Sequence, residues 1–412
     1  MKYVINNQIV LSKEPEGPLK EHIGLFTQFI TAQGYALSSI HPQVRLVAGF
    51  SQWLKREGVE LHCIITAHPQ QYLQYRSQQV KPCRSDIATL RHLVDFLYSN
   101  SVIPAEEVFV PQPTPAECCA QEYEQYLSEL RNLAKATILN YLPFIRCFLK
   151  HCFGNGPTEF SHLCARNVVK FVQYQAAILH KKRAKLMTSA LRSFLTYLRY
   201  LGVVELDLAA AVPVVANWSM PSIPRAIAPE QVELLLVSID RQTAIGRRDY
   251  AVLLLLARLG LRAGEVVCLE LDDIDWYSGT LSVISKGGRC NKFPLSPEVG
   301  SAITAYLQSG RPLSNSRRVF LRAKAPNRGF LGSCGVGSIV RHSLKRAGIN
   351  APTYGAHQFR HGLATEMLRQ GASLSEIGDV LGHRHPQTTK IYAKVDLDAQ
   401  RTLALPWPGG AQ

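Results

Sequence analysis

The stretch LGHRHPQTTKIYAKV, Leu381 to Val395, sets two histidines, a Thr-Thr pair and one tyrosine, Tyr392, in a polar and cation-rich context. A tyrosine bound for a core wants apolar neighbours at helical spacing, and here only Ile391, Ala393 and Val395 qualify. A phenol in such company is a candidate nucleophile. Its ordinary pKa is about 10, so it needs cations nearby to stabilise the phenolate. Three further clusters offer them. LGLRAGEVVCLELDDIDW holds Arg262, the turn in ISKGGR holds Lys286, and YGAHQFRHGLAT holds His357 and Arg360 at i and i+3, on one helical face. Singly, each has an ordinary reading: a helix-end cap for Arg262, a solvated turn for Lys286, core or surface hydrogen bonds for His357 and Arg360.

Together these residue types suit one reaction. Displacing an alkoxide from a phosphodiester adds negative charge to the non-bridging oxygens of the phosphate. Arg262 and Arg360 answer that charge, since each guanidinium presents a planar fork that stays protonated. Tyr392 would attack in line, giving a covalent phosphotyrosine and a free DNA hydroxyl. What the sequence lacks agrees. There is no GxxxxGK[ST] for a nucleotide. Asp272, Asp273 and Asp275 form a DDxD between a helix end and a strand, which reads as a solvated turn and not as a two-metal cluster. A phosphotyrosine conserves the energy of the broken bond, so no cofactor and no metal is expected.

The elements that would position these groups follow from the rest of the 412 residues, a length that implies two or three domains. Net charge is +15, from 46 Lys+Arg against 31 Asp+Glu, which favours a polyanionic partner, nucleic acid first. The ten cysteines show no CxxC or Cys/His metal spacing. With no secretory signal at MKYVINNQIV, they are expected as reduced, mostly buried thiols of a cytoplasmic protein. The longest apolar stretch, AVLLLLARLGL from Ala251, is broken by Arg258 and reads as a core helix, so membrane residence is not expected.

Two proline-rich joints, Ile103 to Glu117 and Val212 to Glu230, divide the chain into three segments. The first two read as copies. Aligning Phe50 with Phe148 and Thr89 with Ala190 gives offsets of 98 and 101, and Leu-Arg, an aromatic-Leu pair and an apolar end recur in the same order. Each copy predicts four or five short amphipathic helices. In the third segment APEQVELLLVSID opens a helix with Pro229 in its first turn, and WYSGTLSVISKGGRCNKFPLS predicts two strands around a Gly-Gly turn. The remainder is helical.

The motifs LGLRAGE, ISKGGR, HQFRHGLAT and LGHRHPQTTKIYAKV, in this order, resemble those of the tyrosine recombinase (phage integrase, XerC–XerD-like) family. The resemblance covers the third segment nearly end to end, and the second segment resembles the family's helical, SAM-like core-binding domain. It implies a mainly α protein: an N-terminal helical domain (1–104) that duplicates the core-binding domain (113–211), a mostly helical catalytic domain with a small antiparallel sheet (226–398), and a tail (399–412). It implies Tyr392 as nucleophile of a 3′-phosphotyrosine intermediate, with His357 taking the tyrosine proton, Lys286 protonating the departing 5′ oxygen and His383 hydrogen-bonding the scissile phosphate. Glu265 is expected to orient a histidine or arginine. Lys286, beside glycines, is preferred to Lys292 on the second strand. His361 is expected as a structural partner, and His385 lies two residues off the motif.

The implied activity is site-specific recombination or integration of DNA by a mobile-element enzyme. A type IB topoisomerase-like relaxing enzyme and a catalytically silent DNA-binding regulator are the alternatives. Expected partners are double-stranded DNA, a homotetramer on synapsed sites, and a partner recombinase or accessory protein. The tail, with Leu397, Leu403 and Leu405, is expected to dock on a neighbouring copy. Lys181, Lys182, Arg183 and Lys185 in LHKKRAKL are the first candidates for phosphate contacts, followed by SRRVFLRAK, VRHSLKRAG and, in the first segment, QQVKPCRSD.

Overall fold

The computed structural model describes residues 3–5, 8–11, 13–83, 85–104, 113–215, 225–285, 288–351, 353–383 and 385–394. Lys286, the tail and about half of each proline-rich joint lie outside these residues. The described residues build one hydrophobic core in each of the first two segments and two in the third, a large one and a small one around Tyr392.

The first segment opens with a short antiparallel hairpin, β1 (Tyr3–Ile5) and β2 (Gln8–Leu11), followed by α1 (His22–Ala32), α2 (Leu37–Arg56), α3 (His68–Ser77) and α4 (Asp86–Ser99). The second runs through α5 (Pro115–Gln125), α6 (Lys135–Phe153), α7 (Ala165–Ile178) and α8 (Lys181–Tyr200). Both therefore present four helices, and in both a 3-10 turn precedes the third helix, at Leu61–Cys63 and Phe160–His162. Burial falls on corresponding positions. Leu90, Leu93, Val94 and Leu97 of α4 are buried, as are Leu191, Phe194, Leu195 and Leu198 of α8, and Phe50 and Phe148 lie at the two core centres. The i, i+3, i+4, i+7 spacing explains this, because it puts each set on one stripe of its helix. The chain divides into two compact units, residues 1–107 with 223–412, and residues 108–222. In the former, the first segment meets the third where the Asn327 amide donates to the Gln33 carbonyl at 2.9 Å.

The third segment begins with α9 (Pro229–Val237), α10 (Ala244–Arg258) and α11 (Ala263–Cys268). Ala251 through Leu256 of α10 have no exposed surface, so this stretch of the helix is apolar all round and runs through the core of the domain. Around it lie α12 (Pro297–Ser309), α13 (Cys334–Arg346) and α14 (His357–Arg369). The sheet inserted after α11 has the order β3 (Ile274–Asp275), β4 (Thr280–Ile284), β5 (Cys290–Pro294), all antiparallel. Its β4–β5 register pairs Leu281 with Phe293 and Val283 with Asn291 on the inner face, and Ser282 with Lys292 on the other. The chain then closes with α15 (Leu374–Val380), α16 (Pro386–Thr389) and a 3-10 turn, Lys390–Lys394, that carries Tyr392. Ser373 starts α15 with a capping box: its hydroxyl accepts from the Glu376 amide and the Glu376 carboxylate accepts from the Ser373 amide.

Two expectations need correction. The cysteines are free but not mostly buried: Cys119 is buried, Cys152 partly so, and the other eight are exposed. The adjacent pair shows why, since the helical period that turns Cys119 into the core turns Cys118 outward, and the buried stripes are filled by Leu, Phe and Val. Tyr392, in turn, is a core residue, 1% exposed. Its apolar neighbours include Ala364 on α14 and Ile377 and Leu381 of the α15 region, with the adjacent Ile391 partly buried against the same cluster. Among the described residues no helix is long and apolar enough to cross a membrane.

Candidate active site

The site is assembled at helix ends and turns. Arg262 occupies the N-cap of α11. Its amide donates to Glu265 Oε2 at 2.8 Å and its Nη1 to Glu265 Oε1 at 2.7 Å, so the buried carboxylate fixes both backbone and guanidinium. The same oxygen accepts from Ser285 Oγ at 3.0 Å, and Ser285 Oγ accepts from Asn291 Nδ2 at 3.0 Å. Glu265 thus orients an arginine, and through Ser285 it also holds the base of the hairpin turn that contains Lys286. Lys292 is exposed on the opposite face of β5 from Asn291.

Arg360 is 3% exposed on α14. Its Nη1 donates to the Gly260 carbonyl at 2.8 Å and its Nη2 to the Leu381 carbonyl, which ties the turn before α11 to the end of α15. Two positive-φ glycines shape these turns. A Cβ on Gly260 (φ +59°) would lie 2.9 Å from Leu363 Cδ2, and one on Gly382 (φ +59°) would lie 2.4 Å from Asn291 Nδ2. Burial, and then the nearby Arg262 charge, lowers the Arg360 pKa to about 10, so it stays protonated at neutral pH.

The histidines complete the cluster. His383, just after Gly382, shares a hydrogen bond of 2.8 Å between its Nδ1 and the buried Thr389 hydroxyl. His357 is exposed at the start of α14, and its ring lies 5.2 Å from that of His361. His361 Nδ1 lies 2.9 Å from the Tyr392 hydroxyl. Desolvation, followed by the charges of Arg360 and Arg262, lowers the pKa of His357 and takes His383 to about 4. Desolvation, then His357 and Arg360, takes His361 to about 4. Burial pushes Tyr392 up to about 12 against the opposing pull of Arg360 and Arg262. At neutral pH the site therefore holds neutral imidazoles, a protonated phenol and two cations, which suits a phosphate.

The structure thus brings Arg262, Glu265, His357, Arg360, His383 and Tyr392 together, and Lys286 lies outside the described residues. It adds Ser285, Asn291, Thr389 and His361. Of these, Ser285, Thr389 and His361 lie within the quoted motifs, and Asn291 lies two residues beyond ISKGGR. His385 is exposed. Elsewhere Lys181, Lys182, Arg183 and Lys185 are exposed on α8, with Arg183 over the Phe144 ring. In SRRVFLRAK, by contrast, Arg317 pairs with Asp272 and Arg318 with Glu270, so those charges serve the fold of their own domain. No group of His, Cys, Asp and Glu suited to a metal occurs among the described residues.

Residues 225–398 match the model of the phage integrase family, and residues 120–200 match that of the phage integrase N-terminal SAM-like domain. The chain is 56% identical over 413 residues to the putative integrase/recombinase y4rA of Sinorhizobium fredii (strain NBRC 101917 / NGR234), covering 100% of both chains. It is 30% identical over 308 residues to the tyrosine recombinase XerD of Mycobacterium tuberculosis (strain ATCC 25618 / H37Rv), covering 70% of this chain and 96% of that one. A crystal structure of the XerH site-specific recombinase bound to palindromic difH substrate shares the fold, with TM-score 0.55, 18% identity, and coverage of 70% of this chain and 84% of that one. The chain belongs to the phage integrase family, the tyrosine recombinases, enzymes that cleave and rejoin DNA.

Proposed function

We propose that this protein is a site-specific recombinase of a mobile element, cutting duplex DNA through a covalent 3′-phosphotyrosine at Tyr392. The observation that carries this reading is that Arg360, bonded to the Gly260 and Leu381 carbonyls, joins the turn that leads to Arg262 with the turn that leads to His383, and Tyr392 packs on Leu381 in the same cluster. The two guanidiniums bind the non-bridging oxygens of the scissile phosphate and stabilise the charge that develops there. His383 donates a hydrogen bond to the same phosphate from Nε2, its Nδ1 being engaged by Thr389. Lys286 protonates the departing 5′ oxygen. His357, the exposed histidine of the pair on α14, is a candidate for the tyrosine proton by family resemblance alone, and His361, whose Nδ1 lies 2.9 Å from the hydroxyl, is the competing candidate.

Exposed cations at the start of α8 make the second segment the first module to grip the DNA backbone. The first segment, with the same helix order, is a duplicate of that module. The working form is a tetramer on two synapsed sites, in which the tail docks on a neighbour. The test is a nicked suicide duplex carrying the terminal sequences of the element that encodes the gene. Incubated without metal, wild-type protein should form a DNA–protein adduct on a denaturing gel, and Tyr392→Phe should form none. Retardation on a native gel without any adduct would instead favour a DNA-binding regulator.

A further inference from the structure

We infer that His361 holds the Tyr392 hydroxyl in its attacking position and accepts its proton as the phosphotyrosine bond forms, the 2.9 Å contact from Nδ1 to the hydroxyl being the hydrogen bond along which the proton moves. This rests on Tyr392 being the nucleophile.

Three observations support the assignment. The first is that this contact is direct, while the His357 ring lies 5.2 Å from that of His361, one turn earlier on α14. The second is that the tyrosine has little freedom to turn elsewhere. Its ring is enclosed by Ala364, Ile377 and Leu381 and meets His361 edge-on, with 61° between the ring planes. The third is that a buried phenol with a pKa of about 12 is ionised in only about one molecule in 10⁵ at pH 7. Waiting for free tyrosinate would therefore cost a large factor in rate, and a hydrogen-bonded acceptor lets the proton leave as the bond to phosphorus forms, without free tyrosinate. The titratable and charged groups facing His361 are His357 and Arg360 on its own helix, Tyr392 on the terminal 3-10 turn and His383 after α15, with Arg262 acting on the same cluster from α11. His357 and Arg360 help keep the imidazole neutral, so the Nδ1 lone pair is available when Nε2 carries the ring proton.

The step balances. The Tyr392 oxygen bonds to phosphorus as the bond from phosphorus to the 5′ oxygen breaks, the phenolic proton passes to His361 Nδ1, and the leaving oxygen takes a proton from Lys286. On rejoining, the 5′ hydroxyl attacks phosphorus as the bond to the Tyr392 oxygen breaks, the hydroxyl proton returns to Lys286, and His361 returns the phenolic proton to the departing Tyr392 oxygen.

The test uses full-length protein in single-turnover adduct formation on the nicked duplex from pH 6 to pH 10, with DNA binding measured separately by anisotropy. His361→Asn places an amide oxygen near the position of Nδ1, so it can still receive the tyrosine hydrogen bond but cannot hold the proton. Adduct formation at pH 7 should fall by about 10²-fold or more with DNA binding unchanged. The rate of this variant should then rise tenfold per pH unit towards pH 10, while wild type varies far less. A His361→Asn variant with the wild-type profile, whatever its absolute rate, would overturn the proton-acceptor role. So would a tenfold-per-unit slope that appears in His357→Asn and not in His361→Asn. If wild type itself forms no adduct, the nucleophile reading fails first and takes this inference with it.

Discussion

At the residue scale, Arg360 has two roles that a single substitution can separate. Two of its donors are spent on the Gly260 and Leu381 carbonyls inside the protein, and the remaining N–H groups are left for a phosphate. Lysine keeps the charge but cannot bridge two carbonyls and present a fork at once. Arg360→Lys should therefore cost about 10²-fold or more in adduct formation. It should also lower the melting temperature by several degrees, because buried carbonyls lose their donor at about 1–3 kcal/mol each. A variant that lost activity at an unchanged melting temperature would show that the carbonyl hydrogen bonds contribute no stability. The histidines make a second prediction at this scale. His361 and His383 have folded-state pKa values near 4, below the ordinary 6.5, so the unfolded chain binds more protons between these values. Their contribution to stability is complete above pH 6.5 and is lost as pH falls towards 4. Thermal melts should show that acid limb, and it should become shallower in a His361→Asn, His383→Asn double variant.

At the scale of elements, the Glu265–Ser285–Asn291 chain of hydrogen bonds joins α11, the end of β4 and β5. Ser285→Ala leaves Asn291 Nδ2 without its acceptor and frees the base of the hairpin from the carboxylate that orients Arg262. Adduct formation should drop roughly tenfold, in line with the removal of one or two hydrogen bonds of about 1 kcal/mol each. Because the groups form one chain, Ser285→Ala and Asn291→Ala should combine to much less than the product of their separate effects. Multiplicative losses would mean that the chain does not act as a unit. These residues also mark the limit of what was legible in the sequence. The helices and the β4–β5 hairpin were legible because periodicity and turn residues are local signals, whereas the grouping of Arg262, Arg360, His383 and Tyr392 was legible only through the resemblance of their motifs to a family. Ser285 and Asn291 were not, since a serine and an asparagine near a turn have an ordinary local use. The burial of Tyr392 was misread for a related reason: its neighbours include residues of α14 and the α15 region, which local spacing cannot show. The cysteines erred in the opposite direction, a residue-type average giving way to the position each one holds on its helix.

At the scale of the whole molecule, the open question is why a chain that already has a core-binding segment carries a second helical module before it. The family's SAM-like model matches residues 120–200 and the catalytic model residues 225–398, so the first hundred residues lie outside both. Helix order and burial pattern follow those of the second module, yet the surface differs at equivalent places. Arg192 donates to the Val212 and Pro213 carbonyls and is occupied by the fold. Arg91, at the offset of 101, is exposed and free of such ties, and Lys81 ahead of α4 is exposed as well. A duplicate that served only as a spacer would have no reason to release a cation from a structural role. If the module instead grips phosphates, removing residues 1–104 should shorten the protected length on DNA, and the salt dependence of binding should weaken by about one unit of slope for each phosphate no longer neutralised. Arg91→Ala in the full chain should reduce that slope by about one and leave the adduct rate at saturating protein unchanged. The same footprint and slope in the truncated protein would show that the first module touches no DNA, and its task would then have to be sought where Gln33 meets Asn327.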